Sequence, residues 1–402
     1  MINYPKMYAN TKLSICKQSK RIAHKTILYL WHPFPKKHTC SIIHLRNSME
    51  VQKKLLFSEG EFDISFERPV GNDAINLLKA NSIGNQGPVY RHLDTEEHVK
   101  NLVNPTLISL RKKDSLVGMG VFCNLEVKVD NNPYNCFYIR YFSAAPEIRG
   151  QGFMKKFGLR AMSLIRNGQH GKTIFYASVE AHNKSSLNVV EEAGYEPIRK
   201  IKTLGISRFF PKQSNKIRSA QTPDEQKRIL QSLSDFYGKH SMVQFTKIFH
   251  LNDYYFIEED GQLVAGCQIH RVHWIIKKLG GITGKAIVAL SPYIPLIRKI
   301  FNAKKFNFLA LEGIYFVAGK EKRFLELVEG LLAMHGFNTA LAWFDKECPS
   351  YHAICKNGNL GLVNLFTRKA DTYLMASFVD MDADEIQKVK NCPVYISSYD
   401  FT

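Results

Sequence analysis

The segment that most constrains this chain is a strand that runs into a glycine turn and straight on into a helix. Tyr138 to Ala144 is β-rich, Pro146 closes it, Arg149-Gly150-Gln151-Gly152 forms a tight turn, and Phe153-Met154 open a stretch with helical apolar spacing. A turn of this kind gathers backbone N–H groups at a helix N-terminus, where the helix dipole also favours negative charge. Gly150 and Gly152 lack a Cβ, so the backbone can approach phosphate oxygens closely. Arg149 adds a cationic fork. On its own, a glycine pair opening a helix is common and does not fix a function.

A second unit narrows the reading. Asn183, thirty-four positions beyond Arg149, follows a strand and precedes a helical run, Ser186 to Glu192, that stops at Gly194-Tyr195. A strand, Asn, helix and Gly-aromatic unit at this distance from an Arg-x-x-Gly turn resembles the GNAT superfamily of acyl-CoA N-acyltransferases, over roughly residues 60–210. The resemblance implies that Arg149, Gly150, Gln151, Gly152, Phe153 and Met154 hold the CoA pyrophosphate. It implies that Phe142, Ser143 and Ala144 pair with the pantetheine arm, with an N–H near Ala144 facing the thioester carbonyl. Asn183 would bond the cofactor arm, and the donor would be acetyl-CoA. Met154 stands where the family has a small residue, which would set the helix start slightly farther from the phosphates.

The acid and base positions depart further. Val190 stands where many members carry a Tyr that protonates the departing thiolate, and Ser178 where others carry a Glu. The nearest substitutes are Glu180 and His182, which share the strand face of Ser178 by period-two spacing; the plain alternative is that both are strand-end polar residues facing water. Positioned acid–base groups contribute about 10²–10⁴-fold, less than correct placement of the reactants can. The expected activity is therefore transfer of an acetyl or other acyl group from CoA to an amine, on a small molecule or a protein. The rival is a non-catalytic CoA-binding or partner-binding module that keeps the fold. Aminoacyl-tRNA-dependent transferases with tandem copies of this fold form a third reading, which the intact pyrophosphate turn argues against.

The order of elements predicts a mixed α/β chain built from two tandem copies of this fold. Strand Phe62–Arg68, helices at Asn72–Ala80 and Thr95–Leu102, strands at Thr106–Arg111, Leu116–Val127 and Cys136–Ser143, helix Phe153–Ile165, strand Thr173–Val179, helix Ser185–Glu192 and strand Ile206–Phe210 make the first. A polar linker at 211–222 follows. The order then repeats in outline with helix Asp224–Tyr237, strands Tyr254–Ile257, Gln262–Ile269 and Phe308–Phe316, helix Phe324–Met334, strand Ala340–Phe344 and helix Tyr351–Lys356. The second copy lacks the glycine turn and has Cys348 where Asn183 would align, so it is expected to be degenerate. Trp343, Asp345 and Tyr351 could line a pocket there, but the stronger expectation puts Trp343 and Tyr351 in its core, with Asp345 as a helix cap. The expected division is a leader at 1–48, an acyl-CoA-binding domain at 49–212 and a degenerate domain at 213–402.

Charge sharpens the boundary of the leader. The chain carries a formal +19, and residues 1–48 supply nine cations with no Asp or Glu. That stretch reads as a disordered arm, as an extension upstream of a start at Met49 rather than Met1, or, less well because targeting segments are richer in Arg and Ser, as an organelle-targeting segment. Basic arms can touch nucleic acid or anionic lipid. Nucleic acid is not expected as the partner of the domains. No apolar run approaches the roughly 18–20 residues of a membrane span. Eight cysteines without a CxxC pair suggest free thiols in a reducing cytoplasm. No His/Cys spacing suggests a metal, and Lys277-Lys278 and Lys304-Lys305 are expected to be solvated.

Overall fold

A computed structural model describes residues 52–84 and 87–402; the expected leader at 1–48, and with it the choice of start, lies outside the described residues. The first half contains β1 (Gln52–Glu59), β2 (Phe62–Arg68), α1 (Asn72–Ala80), β3 (Val89–His92), α2 (Thr95–Lys100), β4 (Pro105–Lys112), β5 (Ser115–Val129), β6 (Asn132–Ala144), α3 (Phe153–Asn167), β7 (Thr173–Glu180), α4 (Lys184–Glu192) and β8 (Glu196–Ser207). The second contains β9 (Ile217–Ser219), α5 (Pro223–Phe236), β10 (Tyr254–Glu259), β11 (Gln262–Lys278), α6 (Gly281–Leu290), α7 (Pro295–Ile300), β12 (Phe306–Phe316), α8 (Glu321–His335), β13 (Thr339–Asp345), α9 (Pro349–Asn357), α10 (Asn364–Thr367), β14 (Asp371–Val379) and α11 (Ala383–Asn391).

Local chemistry explains most of these boundaries. The hairpin between β5 and β6 turns on Asp130 and Asn131, both at positive φ, and that between β10 and β11 on Asp260 and Gly261, which matches the twist of paired strands. Capping boxes start α5 (Thr222 with Glu225) and α11 (Asp382 with Glu385). Along β6, Phe137 and Ile139 pack with α3 and α4, while Cys136 and Tyr138 point to the opposite face. This alternation is the period of two that a strand covered on both faces must show.

All the described strands join one sheet, in the order β1-β2-β4-β5-β6-β7-β14-β8-β13-β12-β11-β10-β9, with β3 added on β11. Two copies of one strand order are therefore fused through their last strands, which are exchanged. β14, from the second half, pairs antiparallel with β7, and β8, from the first, pairs antiparallel with β13. Each half has one parallel pair, β6 with β7 and β12 with β13. One sheet face carries a core for each half: α3 and α4 over β4–β7, and α8 over β11–β13. The other face carries a core shared by both halves, running through Tyr138, Tyr176, Ile201, Trp274, Phe308, Trp343 and Leu374, and beside it a smaller one in which α5 covers Tyr254 and Phe256.

Three expectations need correction. The strand expected at Ile206–Phe210 overlaps only the last two residues of β8, which starts ten residues earlier and ends at Ser207. Its cations, Arg199, Lys200 and Lys202, made that stretch look polar, and they pair with Asp345 and Asp371. The expected linker at 211–222 contains β9, which pairs with β10. β11 runs on to Lys278, nine residues beyond the expected Ile269, because its far end pairs with β3.

Candidate active site

The glycine turn has the expected form. Gly150 and Gly152 lie at φ +74° and +79°, and a Cβ built on either would meet nothing within 4 Å. Both are left-handed positions, which glycine occupies without strain. Gly152 is the N-cap of α3, whose first turn has no acidic side chain, so its leading N–H groups remain available to an anion. Arg149 folds back instead of reaching outward. Its Nε and Nη2 donate to the Ala144 carbonyl at 3.0 and 2.9 Å, and Nη2 also donates to Asn81 Oδ1. Asn81 Nδ2 in turn donates to Ser143 Oγ at 2.6 Å and to the Ala144 carbonyl at 3.0 Å. The end of β6 is thus pinned to the turn by Arg149 and Asn81. Gln151 donates to the Glu147 carbonyl. Phe153 packs on Phe62, with ring centroids 4.7 Å apart. Met154 fits because Gly118 lies beneath it: a Cβ there would stand 2.5 Å from its sulfur.

The strand that leads to this turn is distorted where it matters. Along β5, Met119 faces Ser143 and Val121 faces Arg140, so Tyr141 and Phe142 together oppose Gly120 in a β-bulge. Tyr141 has φ +57°, an unusual conformation for a bulky residue. A bulge removes N–H groups from the ladder and re-aims them. β6 and β7 are paired only from Asn135/Thr173 to Ile139/Ala177, although β6 continues to Ala144 and β7 to Glu180. Beyond Ile139 the two strands part, and a cavity of about 380 Å³ lies in the gap.

Phe142, Asn183, Ser186, Val189 and Val190 line this cavity on the α3/α4 side. Arg140, Glu180, Tyr90 and His92 line its middle, and Trp274, Ile276, Phe306, Leu341 and Trp343 its apolar far end. β3 closes one wall by bringing Tyr90 and His92 onto Trp274, with ring centroids 4.4 and 5.1 Å away. Arg140 is buried and donates to the Tyr141 hydroxyl and the Thr402 carbonyl, each at 2.9 Å. Burial opposes its charge, but Tyr141, Tyr138 and Asp400 around it hold its pKa above the ordinary guanidinium value. Burial pushes Glu180 up to about 7, with the neighbouring Tyr90 hydroxyl pulling the other way. Burial also raises Asp400 to about 7, against Arg140, and lowers His92 to about 3, with Arg140 adding to the effect. Glu180 Oε2, His92 Nε2, Trp274 Nε1 and Arg140 Nε are buried with no hydrogen-bond partner among the described residues. Such atoms are costly unless water or a ligand satisfies them, and all four line this one cavity.

Glu180 and His182 both reach this cavity, by different routes. Glu180 is the last residue of β7, whereas His182 lies in the turn beyond it, exposed, with its ring against Gly87. Asn183 caps α4 by accepting from the Ser186 N–H at 3.2 Å. Val190 is buried in the core beneath α4. Sequence reasoning missed Asn81, Tyr90, His92, Arg140, Trp274 and Asp400. Tyr90, His92, Trp274 and Asp400 come from β3, β11 and the chain's last turn, which only the exchanged sheet brings to β6 and β7, and no local pattern marks them.

Residues 77–195 match the family model described as the acetyltransferase (GNAT) family. A comparison with curated protein sequences gives no match. Among solved structures, N-myristoyltransferase of Saccharomyces cerevisiae with bound myristoyl-CoA superimposes with a TM-score of 0.53 at 9% identity, covering 86% of this chain and 92% of that one. A second structure of the same enzyme with myristoyl-CoA gives 0.55 at 8% identity, covering 86% and 87%. A GCN5-related glucosamine N-acetyltransferase region in a fungal multi-domain GH3 β-N-acetylglucosaminidase gives 0.52 at 11% identity, covering 80% of this chain and 38% of that one. At such identities the likeness is one of fold. The matched segment, the turn at the N-terminus of α3 and the parted parallel strands together give the first half the GNAT fold, and the second half repeats that fold.

Proposed function

We propose that the first half transfers an acyl group from CoA to an amine in the gap between β6 and β7, with Glu180 as the base. The observation that carries this reading is the continuity of the cavity. It runs from the α3/α4 side, where the glycine turn would hold the pyrophosphate, past the Tyr141–Phe142 bulge to Glu180. The bulge N–H groups would face the thioester oxygen, and the Arg140 charge lies close by. The amine nitrogen would attack the thioester carbon, the C–S bond would break as the tetrahedral adduct collapses, and Glu180 would take the ammonium proton. A carboxylate near pH 7 is suited to that task. No acid is required of Val190, since a CoA thiolate leaves without one.

Acetyl, the donor expected from the sequence, is small for this cavity. Its volume of about 380 Å³ falls within the range of whole ligand pockets, roughly 300–1,000 Å³. Its far end is apolar, and the yeast enzyme that shares the fold binds myristoyl-CoA. We read that end as the seat of a longer acyl chain, with the acceptor amine entering beside Glu180. A donor series from acetyl- to myristoyl-CoA, followed by thiol release and mass spectrometry of products, tests this. Rising kcat/KM with chain length supports the reading. Acetyl as best donor would return the far end to the acceptor. Donor binding without turnover across a broad amine panel would favour the non-catalytic module.

A further inference from the structure

The stretch from Gly261 to Leu311 contains Arg271, Lys277, Lys278, Lys285, Arg298, Lys299, Lys304 and Lys305 and not one Asp or Glu. Arg271 is paired with Asp253. The other seven form no ion pair with a carboxylate among the described residues. In the middle of this run stand α6 and α7, and their outer side is apolar. Ile282 is 87% exposed, Tyr293 71%, Leu290 53% and Leu296 51%. Scattered apolar residues on a surface are ordinary, but four large ones on one helix pair and its connector are not.

The inner side of the same helices explains why they are there. Ile287 and Val288 pack on the shared core, and Ile287, with Leu279 just before α6, lines the cavity between β6 and β7. The helix pair is therefore apolar on both sides, with the protein covering only one. The cations stand at the edge of the outer patch: Lys304 Nζ lies 5.0 Å from the centre of the Tyr293 ring, and Lys299 Nζ 4.1 Å from that of Phe210, which is itself 69% exposed.

We propose that α6 and α7 dock on an anionic lipid bilayer, inserting Ile282, Leu290, Tyr293 and Leu296 at the headgroup boundary. Aliphatic and aromatic side chains rimmed by unpaired cations are what such a boundary takes up, by apolar burial together with attraction to acidic headgroups. A nucleic acid would engage the cations and leave the aliphatic groups in water. The proposal extends beyond acyl transfer and does not depend on it.

Sedimentation of the full chain with extruded vesicles tests it, using phosphatidylcholine alone or mixed with phosphatidylserine. The chain should bind the mixed vesicles several-fold more tightly, by about fivefold or more. The I282S/L290S/L296S variant should lose roughly tenfold of that binding while keeping its melting temperature and its affinity for acyl-CoA. K299Q/K304Q should lose part of the preference for phosphatidylserine. A solvent-sensitive dye on I282C should shift to the blue with mixed vesicles, which reads the same contact without removing the patch. Wild-type protein left in solution, a triple variant that binds as well as wild type, an unmoved dye signal, or dimerisation through the patch without vesicle binding would each overturn the proposal.

Discussion

The N-termini of α3 and α8 follow corresponding strands in the two halves and have opposite fates. At α3 the first turn is free of acidic groups and the glycine turn is open. At α8 the place of an anion is taken by the protein itself. The Glu321 carboxylate accepts from the Gly319 N–H at 3.1 Å and from Asn357 Nδ2 at 3.3 Å, and the residue is buried. The strand gaps differ in the same way. Both halves have a bulge before the gap, at Tyr141–Phe142 opposite Gly120 and at Gly313–Ile314 opposite Cys267. Yet where the first gap is an open cavity, the second retains about 20 Å³ among Tyr237, Tyr395 and Ile396. The last residues of the parallel strands repeat the contrast. Glu180 keeps an oxygen without a partner, while Asp345 accepts from Arg199, Glu347 and Val394. The fold thus supplies the frame of a site twice, and side chains decide whether it stays open to a ligand.

The sharpest way to break this comparison is to put a carboxylate at each helix start. Gly152→Asp should weaken acyl-CoA binding at least about a hundredfold, because a like charge would stand among the phosphates at close range. Gly319→Asp, also at a left-handed position, should leave affinity within about twofold. Titration calorimetry on both proteins reads the difference, and equal losses would remove the asymmetry.

Changes at the strand ends should separate turnover from stability. Glu180→Gln should lower kcat by about 10²–10⁴-fold with donor affinity retained. In the wild type the rate should rise with pH through about 7, as Glu180 loses its proton, and the variant should lose that rise. Asp345→Asn should leave the pH profile unmoved and lower the melting temperature. A Glu180→Gln enzyme with a wild-type profile would show that the base lies elsewhere.

Smaller effects bear on the closed half and on the buried acids. Glu321→Gln should cost about 1 kcal/mol in urea denaturation, since it weakens the carboxylate at a helix N-terminus, without changing donor affinity. Asp400, raised to about 7 by burial, stabilises the fold fully below its unfolded pKa near 4 and loses that contribution as pH rises through about 7. The gain in melting temperature from Asp400→Asn should therefore be larger at pH 8 than at pH 5. An equal difference at the two pH values would mean that Asp400 stays ionised throughout.

What could be read from the sequence follows the same division. The strand–turn–helix at Arg149–Met154 and the strand–Asn183–helix unit are local, and both form where the spacing puts them. Strand β2 and helix α1 match their expected ends because each is short and closely bounded, β2 by the turn at Gly60 and α1 by the extended residues Gly71 and Asn81. β14 could not be placed by pattern, because its role is to cross into the other half's sheet. That exchange also means a fragment ending at 212 would lack the strand beside β7. Arg140 and Asp400 lie 260 positions apart and meet only at the seam of the sheet. The strain at Tyr141 leaves no trace in composition. Met154 looked like a misfit because its counterweight, Gly118, lies on another strand.

Amide hydrogen exchange, read by mass spectrometry with and without saturating acyl-CoA, tests the asymmetry of the two halves most directly. Peptides covering Gly150 to Lys156 and Tyr141 to Ala144 should become strongly protected on adding the donor. Peptides covering Gly319 to Phe324 should exchange as before. Protection at α8 equal to that at α3, or none at α3 when the donor is bound, would contradict it.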